Sequence, residues 1–476
     1  MASGGRRKKG RAEPPVRVDA NGATDAAIGA QAGLSPAEFE SVADRLRESI
    51  ARLETERDEG RRPFLELAAR KEDLAKTIAR AEELRGEIDW FVIVAGEGSA
   101  LGNRVLGDAL IDGVDRGGAG RVGMLFVDGA DPGSMRAVLE RVELRRSVFH
   151  VITRAGESVE TLAAFLVLRD RLLSDLGAVE YTRHILLTTD ADAGPLRQIV
   201  NDEGLHATNF PSGVAGHQAA SSPAHLLGAQ LLEIDVEGFL AGVQDMEERC
   251  RAPEPQQNPA ALLAAAYYLL ATLHGVQTSV LFGYSDRLSG LSEWWRQFWS
   301  TTLGKKLEGE SSNVSVGTTP VVARGTVDQY TQLQMYLEGP ADKVLTFVRV
   351  ADAGPRVEIP DSYGDVEDIG YLGGRSLEDL VEAERQAVEW ATARAGRPSV
   401  TIELPALTPH ALGQAVRLFE RAALLCASLH DVDPHARPAV EATRRLVYGA
   451  LRKPGFEAEG EELKRWLDAR QEKWIL

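Results

Sequence analysis

From Asp89 onward the chain alternates short unbroken apolar runs with longer stretches in which apolar residues recur every three or four positions. The runs DWFVIVAG, VGMLFVDG, SVFHVITRAG and RHILLTTD each end in a turn carrying Gly or Asp. Strands buried on both faces of a parallel sheet read as continuous runs of this kind. The segments between them, such as VETLAAFLVLRDRLLSDLG, have helical period. The pattern predicts a doubly wound α/β domain over 87–235. After a helical stretch, NPAALLAAAYYLLATLHGV, come SVLFGYSD, NVSVGTTPVVA, KVLTFVRV and SVTIELP, interleaved with helices around LEDLVEAERQAVEWATARAG and ALGQAVRLFERAALLCASLH. This predicts a second α/β domain over 236–430 and a helical C-terminal tail over 431–476. Upstream, SPAEFE starts a helix: Ser35 caps it, Pro36 fits the first turn and Glu38 completes a capping box. Phe39, Val42, Leu46, Ile50 and Leu53 continue at helical spacing, so 35–86 reads as a helical lead-in. Residues 1–34 read as a disordered basic tail.

Composition narrows the function. The 476 residues carry a net charge of −17, which disfavours nucleic acid and anionic membranes as partners. RRKKGR, within the tail, is the exception and reads as a solubilising end. No apolar run reaches membrane length and no secretory h-region is visible, so the chain is placed in the cytoplasm. Cys250 and Cys426 form no CxxC pair and read as structural thiols. HDVDPH (His430, Asp431, Asp433, His435) mixes metal-competent side chains at a spacing that fits no zinc pattern, so it reads as a capping loop. No metal or cofactor is expected. Trp294, Trp295, Phe298 and Trp299 share helical spacing and read as core or a dimer face.

Two loops carry candidate chemistry: AGEGSALG, Ala95 to Gly102, and TRAGESVET, Thr153 to Thr161. Each joins a strand to a helix at the carboxyl end of a sheet, where ligands bind in such folds. Backbone N–H groups and a helix N-terminus suit an anion there. Ser99, Thr153 and Ser158 offer hydroxyls, and Arg154 offers a charge-assisted hydrogen bond.

These loops and four later stretches resemble the bacterial phosphoglucose isomerase family, built from two sugar-isomerase (SIS) domains. GEGSALG resembles its Gly-Gly-Ser-x-Leu-Gly loop, and TRAGESVET its Ser-Lys-Ser-Gly-Thr-Thr-x-Glu-Thr loop. SGVAGHQAASSPAHLLGA resembles Val-Gly-Gly-Arg-Phe-Ser with the Ser-Pro and Leu-Leu that follow. EWWRQFWSTTLGKK resembles Trp-Tyr-Arg-Gln-Leu-Trp-Ala-Glu-Ser-Leu-Gly-Lys. GTVDQYTQLQMYLEGPADKVLTFV resembles Gly-Thr-Thr-Asp-Gln-His-Ser-Gln-Leu-Gln and its continuation. DVDPHARPAVEATRR resembles Asn-Pro-x-Asp-Gln-Pro-Gly-Val-Glu-x-x-Lys. The matches run in order from Trp90 to Gly455. The resemblance implies two SIS-type parallel-sheet domains, a sugar phosphate as ligand, a homodimer with sites built partly at its interface, and aldose–ketose isomerisation in glycolysis and gluconeogenesis.

The residues that would do this chemistry are changed. Thr301 stands where the family has its carboxylate base, Tyr330 where it has its ring-opening His, His217 where it has an Arg, and Arg444 where it has a Lys. Gln297 is kept, with Ser99, Thr153, Arg154 and Ser158 as substrate-binding candidates. A hydroxyl does not take a carbon-bound proton near neutral pH without a strong partner. Glu97 and Glu157 add acids to the anion loops; a carboxylate about 4 Å from a phosphate charge costs roughly 4 kcal/mol at an effective dielectric of 20. Glu308 and Glu310 read as a solvated turn. The expectation is a sugar- or sugar-phosphate-binding relative with lost or strongly reduced isomerase activity. The alternative is an active glucose-6-phosphate isomerase with a rearranged site.

Overall fold

The computed structural model describes residues 13–475 except 97, 118–119, 155, 157 and 307–314. Glu97, Glu157, Glu308 and Glu310 lie outside the described residues.

The chain opens with β1 (Arg17–Asp19), then helices α1 (Pro36–Ser41), α2 (Ala43–Asp58) and α3 (Lys71–Leu84). The Ser35 side chain accepts from the Glu38 N–H while a Glu38 carboxylate oxygen accepts from the Ser35 N–H, the capping box read from SPAEFE.

The first domain follows as β2 (Trp90–Val94), α4 (Leu101–Leu110), β3 (Gly123–Val127), α5 (Pro132–Arg141), β4 (Ser147–Ile152), α6 (Val159–Leu176), β5 (Ile185–Thr189), α7 (Pro195–Glu203) and β6 (His206–Asn209). Its sheet runs β3-β2-β4-β5-β6, all parallel. All six residues of β4 are buried, as a strand covered by helices on both faces requires.

Three helices lead on: α8 (Pro223–Leu231), α9 (Val236–Cys250) and α10 (Pro259–Leu273). The second sheet is built from β7 (Thr278–Gly283), β8 (Thr319–Arg324), β9 (Lys343–Asp352) and β10 (Ser399–Ala406), with α11 (Ser289–Leu303), α12 (Leu377–Arg394) and α13 (Pro409–Leu429). Its order is β1-β10-β9-β7-β8, parallel except for β1, which runs antiparallel to β10. Two doubly wound α/β sheets are therefore present, as the apolar runs predict. The tail contains α14 (Pro438–Ala450) and α15 (Glu457–Asp468).

The start of the chain corrects one expectation. Within 13–34, placed in a disordered tail, Arg17–Asp19 forms a strand of the second sheet and Val16 beside it is packed into the core. Val16 is fully buried, donates its N–H to Gln414 Oε1 at 3.1 Å and accepts from Arg249 at 2.7 Å. The sequence does not betray this, because three residues are too few to show a period of two.

Helix α13 is buried on nearly every face and ties the two halves together. The aromatics of α11 belong to the same interior: Trp294, Trp295, Phe298 and Trp299 are each 1% exposed. They are core, not an outward dimer face. Trp294 and Phe298 stack with centroids 5.3 Å apart, and Trp295 and Trp299 at 5.9 Å. This packing sets the position of the outward residues of α11, including Gln297 and Thr301.

Candidate functional site

Strands β2 and β4 end side by side, and their loops meet. The Gly96 N–H donates to Thr161 Oγ1 at 2.9 Å, and the Thr161 hydroxyl donates to Ser158 Oγ at 3.0 Å. Ser158 caps α6 by accepting from the Thr161 N–H and donates its own proton to Glu160 Oε2 at 3.1 Å. Two glycines are required where other segments press in. Gly98 has φ +81°, and a Cβ there would stand 2.2 Å from Gln297 Oε1. At Gly216 a Cβ would stand 2.1 Å from Ser99 Oγ. Behind the loop lies His225, fully buried, with Nε2 2.6 Å from the Ser99 carbonyl and Nδ1 2.5 Å from that of Ala219.

Between these loops, α11 and α14 lies a cleft of two lobes. The smaller, about 80 Å³, is lined by Gly96, Ser99, Thr153, Arg154, Ser158 and Thr161 from the first domain, by Gly216, and by Arg437, Glu441 and Arg444 from the tail. The larger, about 760 Å³, is lined by Asp128, Glu160, His217, Arg296, Gln297, Thr301, Arg437 and Arg444 among others. The five residues read from the sequence as binding candidates line the cleft: Ser99, Thr153, Arg154 and Ser158 the smaller lobe, and Gln297 the larger. Hydroxyls and guanidinium groups converge there as an anion requires.

The residues at the family's catalytic positions divide. Thr301, His217 and Arg444 line the larger lobe, and Tyr330 lines neither. Tyr330 is 77% exposed, beyond the end of β8, and its hydroxyl donates to Glu384 on α12 at 3.2 Å. The Thr301 hydroxyl donates to the Gln297 carbonyl at 2.6 Å, one turn back on its own helix. His217 is 5% exposed; its ring lies edge-on to Phe298 at 5.6 Å, and its carbonyl accepts from Trp294 Nε1 at 3.1 Å. Burial, reinforced by the charges of Arg437, His435 and Lys305, pushes its imidazole down to about 3. It is therefore neutral at physiological pH. Arg444 donates to Glu441 at 2.7 Å.

The tail supplies lining residues that sequence reading passed over. Arg437 and Glu441 stand in DVDPHARPAVEATRR, at the Gln and the Glu of the family pattern, and that was the available signal. Lys305 anchors the tail's root by donating to the Thr301 carbonyl at 2.7 Å and to that of Ala436. The HDVDPH loop is structural: the His430 ring packs edge-on against Tyr268, and the His435 ring meets Arg62. Among the described residues no His, Cys, Asp and Glu group is arranged to hold a metal ion. Cys250 and Cys426 are free and buried. No helix among the described residues is long and apolar enough to cross a membrane.

Comparison with known proteins extends the resemblance over the chain. The family model for phosphoglucose isomerase matches residues 81–454. A glucose-6-phosphate isomerase of Rubrobacter xylanophilus is 35% identical over 439 residues, 90% of this chain and 97% of the relative. One of Carboxydothermus hydrogenoformans is 31% identical over 439 residues, 90% of this chain and 93% of that one. Among solved structures, a hypothetical protein of Thermus thermophilus superposes with TM-score 0.80 at 30% identity, covering 92% of this chain and 99% of its own. A glucose-6-phosphate isomerase of Chlamydia trachomatis shares the fold, with TM-score 0.71 at 17% identity over 83% of this chain and 77% of its own.

Proposed function

The chain belongs to the phosphoglucose isomerase family, and we propose that its cleft binds a sugar phosphate while its capacity to isomerise one is lost or strongly reduced. The phosphate end of the reading rests on the hydroxyls of Ser99, Thr153 and Ser158 with the guanidinium of Arg154 around the smaller lobe. The chemical end rests on position 301. Moving a proton between neighbouring carbons needs a base there, and Thr301 offers a hydroxyl already committed to the Gln297 carbonyl. His217, neutral and walled by Phe298 and Trp294, supplies no charge to an enediolate. Arg444 holds a charge but does not readily release its proton. We propose a cytoplasmic homodimer; the exposure of Tyr330 fits a side chain that reaches a site only across an interface between copies.

A second reading, an active glucose-6-phosphate isomerase, is favoured by the 35% identical relative of that name and by Glu160, a carboxylate on the larger lobe. A coupled assay with glucose 6-phosphate and with fructose 6-phosphate separates the two. Turnover near the median enzyme value of about 10 s⁻¹ would overturn the proposal. Turnover at background, with a rise in melting temperature on adding either sugar phosphate, supports it.

A further inference from the structure

Behind the anion loop sits a titratable ring that the proposed chemistry does not use. His225 is fully buried on α8 and stands between two backbone carbonyls, that of Ser99 at 2.6 Å from Nε2 and that of Ala219 at 2.5 Å from Nδ1. Gly102 on α4 makes room for it, since a Cβ there would stand 2.6 Å from the His225 Cγ. The Ser222 hydroxyl, 3.5 Å from Nδ1, is at the outer limit of a hydrogen bond. A carbonyl oxygen only accepts, and a neutral imidazole donates from one nitrogen, so a neutral ring sets a lone pair against one of the two carbonyls. Only the imidazolium, with two N–H groups, satisfies both. Burial opposes that charge and pushes the imidazole below its ordinary value, while the Ala219 and Ser99 carbonyls pull it back up.

Among the described residues no carboxylate bonds to the ring. Its titratable neighbour is His150 on β4, itself pushed down to about 3 by burial. The charges of the helices against α8 are engaged elsewhere. Arg104 and Asp108 of α4 turn to Asp128 and Ser289, and Glu247 of α9 is held by Arg417 and Arg421 of α13. Asp73, Lys76 and Arg80 of α3 line a separate cavity beside Pro223 and Leu227. The ring and the smaller lobe share the Ser99 peptide: Ser99 lines the lobe, and its carbonyl faces His225. The lobe's fixed charges, Arg154, Arg437 and Arg444 against Glu441, are net positive and disfavour a further cation behind them until an anion arrives.

We propose that His225 is a positioning residue of the anion loop: a phosphomonoester entering the smaller lobe draws a proton from solvent onto the ring, which then donates to both carbonyls and locks the Ser99 peptide. The inference rests on the sugar-phosphate reading above and adds the residue, and the proton, that act with it.

The test is calorimetry on the full chain at pH 7.5 with 1,5-anhydroglucitol 6-phosphate, in buffers of differing ionisation enthalpy. A phosphomonoester, with a second pKa of about 6, is already dianionic there, so proton uptake reports the protein. The intact chain should take up about half a proton or more per ligand bound. His225→Gln keeps an amide donor but cannot titrate; it should bind without uptake, and its melting temperature reports whether the fold is intact. Independently of any variant, 15N spectra of the intact protein should show one histidine ring pass from one N–H to two on adding the probe. Binding without net uptake, uptake that persists in His225→Gln, or rings that keep their N–H count would overturn the inference and leave the sugar-phosphate reading standing. If the intact protein does not bind the probe, that reading fails and takes the inference with it.

Discussion

The two lobes of the cleft have diverged unequally. In the smaller lobe the short side chains and backbone groups are held by bonds among themselves, Gly96 to Thr161, Thr161 to Ser158 and Ser158 to Glu160, with the Arg154 guanidinium beside them. In the larger lobe the positions that carry the family's chemistry hold a hydroxyl tied to its own helix, a neutral buried histidine and an arginine paired with Glu441. Binding an anion needs only donors at suitable distances. Proton transfer needs a group whose pKa suits the task, and one substitution removes it. A cleft can therefore keep the first capacity after losing the second.

The largest expected effect tests the larger lobe. Thr301→Glu should raise isomerisation of fructose 6-phosphate above the unaltered chain by about 10²-fold, the lower end of what a positioned base contributes. A fall in rate would show that catalysis already runs through another group. Next, Arg154→Ala should weaken sugar-phosphate binding by about ten- to a hundred-fold. Its melting temperature should stay unchanged, because the exposed Arg154 guanidinium has no ion-pair partner among the described residues. Unaltered affinity in calorimetry would move the anion out of the smaller lobe.

A third expectation concerns acid. Burial pushes His217 and His150 each down to about 3, from an ordinary value near 6.5. A histidine depressed in the folded state takes up its proton mainly on unfolding, so stability is full above pH 6.5 and declines as pH falls toward 3. Denaturant titrations at pH 7 and pH 5 should differ by about 2 kcal/mol per buried histidine, and His217→Phe should reduce the difference by about that amount, leaving the His150 share. A profile that is level between these pH values would mean the rings are already charged in the native state. The smallest effect is Thr301→Val, which deletes a helix-bound hydroxyl and should cost at most about 1 kcal/mol of stability with sugar-phosphate affinity unchanged. A large loss of affinity would give the Thr301 hydroxyl a direct role with the ligand.

Much of the architecture was legible from local pattern. β2, β3, β4 and β5 are continuous apolar runs, and the Gly- and hydroxyl-bearing loops after β2 and β4 announce themselves within ten residues. β6 escaped because His206–Asn209 is a short polar edge. β8 begins at Thr319, later in NVSVGTTPVVA than its apolar start suggests. Ser99, Thr153, Arg154 and Ser158 were readable because each sits beside its glycine turn, and Gln297 from the family pattern on α11. Arg437 and Glu441 were marked only by the family pattern, since only long-range folding carries the tail to the first domain's loops. The position of Tyr330 was beyond local pattern for the same reason, because its surroundings depend on how α12 packs.

The strand at the start of the chain also bears on synthesis. Val16 bonds to Gln414, 398 residues further on, and β1 completes a sheet whose neighbouring strand is β10. At ribosomal rates of about 5–20 residues per second, the N-terminal segment waits on the order of 20–80 s for its partner to emerge. Through that interval Val16 and Val18 have nowhere native to go, and once β10 emerges its outer edge stays open until they arrive, a template for pairing between nascent chains. A fusion that delays the first twenty residues should therefore lower soluble yield in cells, even where the purified, completed protein is as stable as before.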